Sequence, residues 1–158
     1  MANLLIMGVV AGVVGTLVMD AMNHVLSRIG VLQKIDISMI GRMSAGWTKG
    51  RFLYHHPDEM QAVARERLLG WFTHHAISVV FALVYVLSWY FLAEGPVSAF
   101  GALIYGAATT VASQFLVFPS MGFGVFGRRS PEGIKAPLSS LANHSFFGLG
   151  MALVIALW

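Results

Sequence analysis

The sequence contains no cysteine, so disulfide bonds, thiolate metal ligands and cysteine nucleophiles are all excluded. Charge is also scarce: 11% of the residues are charged, whereas soluble domains carry about a quarter. In its place the chain has 57% hydrophobic residues and a mean hydropathy of +0.73. This balance is typical of an integral membrane protein whose partner is the lipid bilayer, so the small basic excess does not indicate nucleic acid.

Four apolar runs occupy most of the 158 residues and predict four transmembrane helices that form a single membrane domain. The predicted spans cover residues 4–26, 71–93, 97–118 and 138–158. The first run lacks a basic leader and an obvious cleavage site, which favours a retained span over a signal peptide. The predicted fold is thus an all-α, four-transmembrane-helix bundle.

Basic residues are confined to two of the three connections between the spans. Seven of the ten Lys and Arg residues lie between Ser27 and Gly70, and the other three lie between Ser120 and Pro137. The positive-inside rule places both of these connections in the cytoplasm. We therefore expect a multi-pass protein of the bacterial inner membrane with both chain termini outside.

Two local signals refine the connections. Pro57 to Leu69 is predicted as a short helix along the membrane surface, because proline opens it, acidic residues follow and arginines lie near its end. A plain solvated linker helix is the alternative. Glu94 to Pro96 predicts a tight turn between the second and third spans.

The last basic connection contains a glycine-rich segment. Gly122 to Gly127 spells G-x-G-x-x-G, but a membrane helix and Pro119 precede it instead of a strand, so a dinucleotide site is not predicted. Arg128 and Arg129 follow immediately and are candidates for holding a lipid headgroup phosphate. A flexible cytoplasmic loop is the alternative.

One side of the first span combines small and ionisable residues at intervals of four. These are Gly8, Gly12, Thr16, Asp20 and His24. On an α-helix the spacing predicts close helix contact at the small end and polar contact at the other. Aligning Thr16 with Thr110 also aligns Gly12 with Gly106 and Asp20 with Gln114, which fits two parallel two-helix repeats as well as coincidence in glycine-rich helices.

Polar residues near the cytoplasmic ends of all four spans are predicted to lie at one level inside the bundle, because polar groups facing lipid are costly. Two imidazoles and a carboxylate form a recognised transition-metal ligand set, which makes Asp20, His74 and His144 candidate metal ligands. The residues expected to complete or orient that set are His24, His75, Gln114 and Asn143.

Three functions are compatible with this cluster. The leading hypothesis is a small inner-membrane protein that binds a transition metal ion or haem, with facing histidines as axial ligands of the haem. A proton-linked transporter or permeation pathway is the alternative, because Asp and His form proton relays in membranes, and it would favour a homo-oligomer. A structural or assembly subunit of a membrane complex is the third. No nucleophile and base pair stands out, so the sequence neither indicates nor excludes an enzyme.

Several sequence tracts resemble the bacterial integral membrane proteins grouped as domain of unknown function 2938. The tracts are Met19-Asp20, Gly70 to His74, Pro119 to Gly124, Ser130-Pro131 and Ser140 to Gly150. The resemblance spans nearly the whole chain and implies a four-span inner-membrane protein. It carries Asp20, His74 and His144 as positions of the family pattern, whereas His24 and His75 depart from it, and it implies no activity.

Overall fold

The computed structural model describes residues 1–93 and 95–158, which contain helices and no strand. The five helices are α1 (Ala2–Arg28), α2 (Ile37–Trp47), α3 (Glu66–Leu92), α4 (Ala99–Ser120) and α5 (Lys135–Leu157). Four of them, α1, α3, α4 and α5, are long and apolar enough to cross a membrane. The predicted all-α, four-span fold is confirmed. Of the turn predicted at Glu94 to Pro96, Glu94 lies outside the described residues.

Helix α4 is irregular in its second half. Its backbone widens into a π-helical turn at Ser113–Val117, directly before Phe118 and Pro119. Proline has no backbone N–H and its ring crowds the preceding turn, so a regular α-helical ladder cannot run unchanged into it. The widened turn carries the chain to Ser120 and sets which side chains of α4 face its neighbours.

The spanning helices form a row in the order α3, α1, α5, α4. Helix α1 packs against both α3 and α5, and α4 packs against α5. Between the two outer members, α3 and α4, large aromatic side chains make the contact: the rings of Tyr85 and Tyr105 lie 5.1 Å apart. The Tyr85 hydroxyl also donates to the Ser98 carbonyl at the beginning of α4. Among the described residues, the backbones of the spanning helices thus approach each other closely between neighbours in the row.

Small residues allow that close approach, as the sequence predicts. A Cβ atom added at Gly12 would lie 2.6 Å from the Cα atom of Val79, so α1 and α3 touch through backbone there. At Gly106 an added Cβ would overlap the backbone of Gly148, which joins α4 to α5 in the same way. Both crossings need glycine because no side-chain movement could relieve such a backbone clash.

Residues 29–65 and 121–134 pack together on one end of the bundle and are termed the cap. Within it, α2 begins at Asp36, whose carboxylate accepts the backbone N–H groups of Ser38 and Met39. The predicted helix from Pro57 to Leu69 is wrong in position: a single 3-10 turn, Pro57–Glu59, forms at its beginning, and its last residues, from Glu66, belong to α3. The short helix of this connection is α2, which Asp36 caps and which buries an apolar side.

Helix α2 is held against the beginning of α3. An added Cβ at Gly70 would overlap the Ile37 carbonyl, so the two helices cross in backbone contact. Beside the crossing, Arg42 donates from Nε and Nη2 to the two carboxylate oxygens of Glu66 at 2.7 and 3.0 Å. This hydrogen bond to Glu66 raises the pKa of Arg42 above its ordinary value.

The two loops of the cap are joined by both polar and apolar contacts. Ser120 donates to the Phe52 carbonyl at 2.7 Å, and Arg129 donates from Nη1 to the His55 carbonyl at 3.0 Å. A buried apolar cluster lies beneath these bonds and contains Ile40, Met43, Tyr54, Met60 and Met121. The basic connections therefore form a packed structure on one end of the bundle.

Candidate functional site

The most distinctive polar contact inside the spans joins α1 to α3. Asp20 Oδ1 lies 2.9 Å from His74 Nε2, and the two side chains are 18% and 11% exposed. The pair follows from helix geometry: Asp20 lies two turns after Gly12 on the same side of α1, where α3 already touches it. An imidazole N–H that donates to an ionised carboxylate makes a charge-assisted hydrogen bond, whether the ring is neutral or protonated.

The second oxygen of this carboxylate is left without a partner. Asp20 Oδ2 is buried, and no donor among the described residues reaches it. Buried polar atoms are nearly always paired, because leaving one unpaired costs about 1 to 3 kcal/mol. Asp20 therefore keeps an unused acceptor site inside the bundle.

The third predicted residue, His144, is engaged elsewhere. Its Nδ1 lies 2.7 Å from the Thr109 hydroxyl, which itself donates to the Gly106 carbonyl at 2.6 Å. Because a hydroxyl has a single hydrogen, the imidazole must be the donor in the His144–Thr109 bond. This bond joins α5 to α4, whereas the Asp20–His74 bond joins α1 to α3.

A further polar contact joins α1 to α5 and was not predicted from α1. Asn23 donates from Nδ2 to Asn143 Oδ1 at 3.1 Å and to the Gln33 carbonyl at 2.9 Å. Its Oδ1 accepts the backbone N–H of Ile35 at 3.2 Å. Asn23 thus fastens the beginning of the cap to the bundle. Its position three residues after Asp20 is the signal that could have identified it.

Gln114 belongs to a separate hydrogen-bonded group between α4 and α5. It donates to the Thr110 hydroxyl at 3.2 Å and to the Pro137 carbonyl at 3.3 Å. Ser140 extends the group, because its hydroxyl lies 3.1 Å from that of Thr110 and 3.0 Å from that of Ser113. Together with the Asn23 and His144 contacts, this group makes a polar layer across the bundle next to the cap.

His24 and His75 lie outside that layer. The side chain of His24 is exposed. His75 forms its hydrogen bond with the backbone carbonyl of Trp71, one turn earlier on α3, at 3.2 Å, and its ring packs edge-on against that of His74 with the ring centres 5.8 Å apart. Neither approaches Asp20 within hydrogen-bond distance. The structure therefore brings together Asp20 with His74 and Asn143 with Asn23, and leaves His24 exposed and His75 half-buried beside His74.

The metal or haem hypothesis is wrong. Within residues 1–93 and 95–158, no group of three or more His, Cys, Asp or Glu side chains could hold a metal ion. The physical reason is that the candidate ligands already have different partners: His74 binds Asp20, while His144 binds Thr109. A metal would need all three donors to converge on one point.

The transport alternative gains no support from the end of the bundle away from the cap. Its core is a hydrophobic cluster that includes Met7, Ala11, Ala82, Tyr85, Val86, Ala102, Met151 and Ile155. Among the described residues, the hydrogen-bonded polar layer does not continue through this core.

Fold and site together define an integral membrane protein of four spanning helices, with a packed cap and a polar layer beneath it. The chain belongs to the family described as protein of unknown function (DUF2938), whose model matches residues 9–157. Comparison with curated proteins and with solved structures finds no significant match. The family assignment predicted from the sequence tracts is confirmed.

Proposed function

We propose that the protein is a proton-responsive integral membrane protein, in which Asp20 and His74 bind one proton in common. The observation that carries the proposal is the carboxylate of Asp20: Oδ1 lies 2.9 Å from the imidazole, while the buried Oδ2 has no donor. Imidazole is the side chain that ordinarily titrates near neutral pH, and Asp and His are the usual proton-binding groups within membranes.

The charge of the pair depends on how many protons it holds. With one shared proton the pair is neutral overall. A second proton leaves an imidazolium without counter-charge, and loss of the shared proton leaves a carboxylate without one. Either charge is costly within a bilayer, about 2.5 to 3.5 kcal/mol for a central residue on insertion scales. Gain or loss of a proton therefore weakens the contact between α1 and α3.

The pair is close to the point where α1 meets the cap. Asn23 lies one turn after Asp20 on α1 and holds the backbone of Gln33 and Ile35. A movement of α1 relative to α3 would therefore also move the beginning of the cap. Protons would enter from the cap, because the other end of the bundle has an apolar core.

The test measures thermal unfolding of the full chain in nanodiscs between about pH 5 and pH 9. Wild type is expected to be most stable in the middle of this range and to lose stability on both sides. The double variant D20N/H74Q, which cannot change charge at the pair, is expected to lose much of this pH dependence. H24Q/H56Q is the matched control, because it removes two histidines whose side chains are exposed and lie away from the pair.

A second readout keeps the proposal falsifiable if D20N/H74Q folds poorly. Protection of wild-type backbone amides in α1 and α3, corrected for the intrinsic pH dependence of amide exchange, is expected to fall on both sides of the stability optimum. An unchanged pH profile of stability in D20N/H74Q, or corrected protection in α1 that does not vary with pH, would show that the pair only fixes packing.

We further propose that the cap lies in the bacterial cytoplasm and that both termini lie outside the inner membrane. This orientation follows the positive-inside rule. All ten Lys and Arg residues fall between Ser27 and Pro137 and outside the predicted spans, which supports this orientation. Because the chain has no cysteine, single variants K49C and A2C can be labelled selectively. In intact spheroplasts an impermeant maleimide should label A2C and leave K49C unlabelled; the reverse would overturn the orientation.

A further inference from the structure

An aromatic side chain of the cap lies against the outer surface of α4. The ring of Phe126 packs edge-on against that of Phe115, with ring centres 4.9 Å apart and planes at 70°. Phe115 is itself 47% exposed on α4, and its neighbour Leu116 is 63% exposed. Since α4 is a spanning helix, its exposed apolar surface faces lipid, and Phe126 therefore lies at the edge of the bilayer.

The backbone of Phe126 is held in an unusual conformation. Its φ of 57° is in the left-handed region, which residues with a bulky side chain rarely adopt. The flanking glycines Gly124 and Gly127 also have positive φ, at 70° and 64°, and allow the chain to turn sharply around it. Such strain persists where a feature requires it, and here it directs an aromatic ring outward to the membrane boundary.

Two arginines follow this ring. Arg128 is exposed, folds back over Gly124, and makes no side-chain hydrogen bond or ion pair within the described part of the chain. Arg129 is also exposed and uses Nη1 for the His55 carbonyl, with no bond from its other nitrogen donors in the same residues. The carboxylate nearest in sequence, Glu132, lies 3.8 Å from Lys135.

We propose that Phe126, Arg128 and Arg129 bind the headgroup phosphate of an anionic phospholipid. Aromatic rings prefer the boundary between hydrocarbon and headgroups, and two or three residues of chain span at most about 7 to 11 Å, so both guanidinium groups remain within reach of the phosphate level. Guanidinium donors match phosphate oxygens in pairs. The ring sets the depth of the site, and the arginines supply its charge.

The experiment uses native mass spectrometry of the full chain released from mixed phosphatidylglycerol and phosphatidylcholine micelles. Wild type is expected to retain phosphatidylglycerol preferentially, and R128Q/R129Q to reduce that retention about fivefold or more, consistent with the attraction of basic groups for anionic lipid. R65Q/R67Q is the control of equal charge, because both arginines are exposed at the beginning of α3. F126A keeps every charge and should still weaken retention.

Three outcomes would overturn the proposal. Equal loss in R65Q/R67Q would indicate a diffuse basic surface, and full retention in F126A would remove the ring from the site. Displacement of the lipid by millimolar inorganic phosphate, as effectively as by soluble phosphatidylglycerol, would indicate a site for free phosphate. Unfolding temperatures of all variants are measured alongside, because R129Q removes the bond to the His55 carbonyl and F126A the contact with Phe115, and retention is compared under conditions in which every variant remains folded.

Discussion

The helix pairs α1–α3 and α4–α5 solve the same packing problem with different polar chemistry. Each pair crosses in backbone contact at a glycine, Gly12 in the first and Gly106 in the second. In each pair a histidine of the second helix lies against a polar residue of the first helix. In α1–α3 that residue is Asp20, and in α4–α5 it is Thr109.

The difference in partner decides what each pair can do. The hydroxyl of Thr109 carries no charge and can only exchange hydrogen bonds with His144, so the α4–α5 contact serves to fasten the helices. The carboxylate beside His74 supplies a charged acceptor, and its second oxygen has no donor within the described residues. In the proposed function the α1–α3 contact is the one that responds to protons, whereas the α4–α5 contact is a permanent fastening.

The two pairs also differ in how they meet the rest of the molecule. Helices α1 and α5 are joined directly through Asn23 and Asn143, at 3.1 Å. The corresponding contact between α3 and α4 is made by the rings of Tyr85 and Tyr105 instead. The two helix pairs therefore resemble each other in their internal contacts, whereas the contacts that join one pair to the other differ.

The largest effect is expected from disrupting the close backbone crossing that both helix pairs share. G12V and G106V each place methyl groups where another backbone lies, and overpacking of this kind should cost about 3 kcal/mol or more. Thermal unfolding in detergent should show both variants strongly destabilised or unfolded. A21V and A108V are the controls, since both alanines are exposed on the same helices; destabilisation equal to that of G12V would remove the special role of the crossings.

The next effect concerns the contact that only α1 and α5 share. N23L removes a side chain that bonds Asn143, Gln33 and Ile35, and it leaves their polar groups unpaired. We expect a loss of about 2 kcal/mol and faster proteolysis of the connection after α1. Proteolysis at the wild-type rate would show that Asn23 does not hold the cap.

A comparison of D20N with T109V tests the chemical difference between the pairs. D20N leaves the His74 ring without a counter-charge, so its cost should rise as pH falls and reach about 1.5 to 3 kcal/mol at about pH 5. T109V removes a neutral bond and should cost about 1 kcal/mol at pH 5 and pH 8 alike. Parallel pH profiles for the two variants would contradict the distinction between titratable and permanent contacts.

The smallest effect is expected in the cap. R42Q removes the paired hydrogen bonds to Glu66, which are partly exposed, so the unfolding temperature should fall only slightly and less so in high salt. The pKa of Arg42 is raised and Glu66 must be ionised, so the contribution of the pair should not change between about pH 5 and 9 and should be lost only in acid, when Glu66 is protonated. R67Q, which alters an exposed arginine without such bonds, is the control.

The sequence predicted the spans well, because long apolar runs exclude water whatever surrounds them. It predicted the wrong place for the short helix, since Pro57 and the acids after it resemble a helix start, whereas Asp36 supplies the actual cap. The repeat alignment paired Thr16 with Thr110. In the structure the carbonyl of Gly106 instead accepts from the hydroxyl of Thr109, where a turn interrupts the regular helix of α4.

The candidate site could likewise be predicted only in part. The distance of the polar residues from the ends of the spans predicted that they lie at one level, but the sequence did not predict which of them bond to one another. The prediction of a metal site was wrong because His144 bonds to Thr109, while Asp20 and His74 bond to each other. It stays a prediction that the whole chain forms one membrane domain, that it associates with copies of itself, and that it serves a larger complex.

Taken alone, the order of residues determined that this protein crosses a membrane with four helices and concentrates its polar groups near one end. These properties follow from hydropathy and helical spacing, which act along the chain. Only the tertiary structure decided that Asp20 pairs with His74, that Asn23 holds the cap and that Phe126 turns toward lipid. Those choices depend on how each helix is rotated against its neighbours, and packing between distant segments sets that rotation.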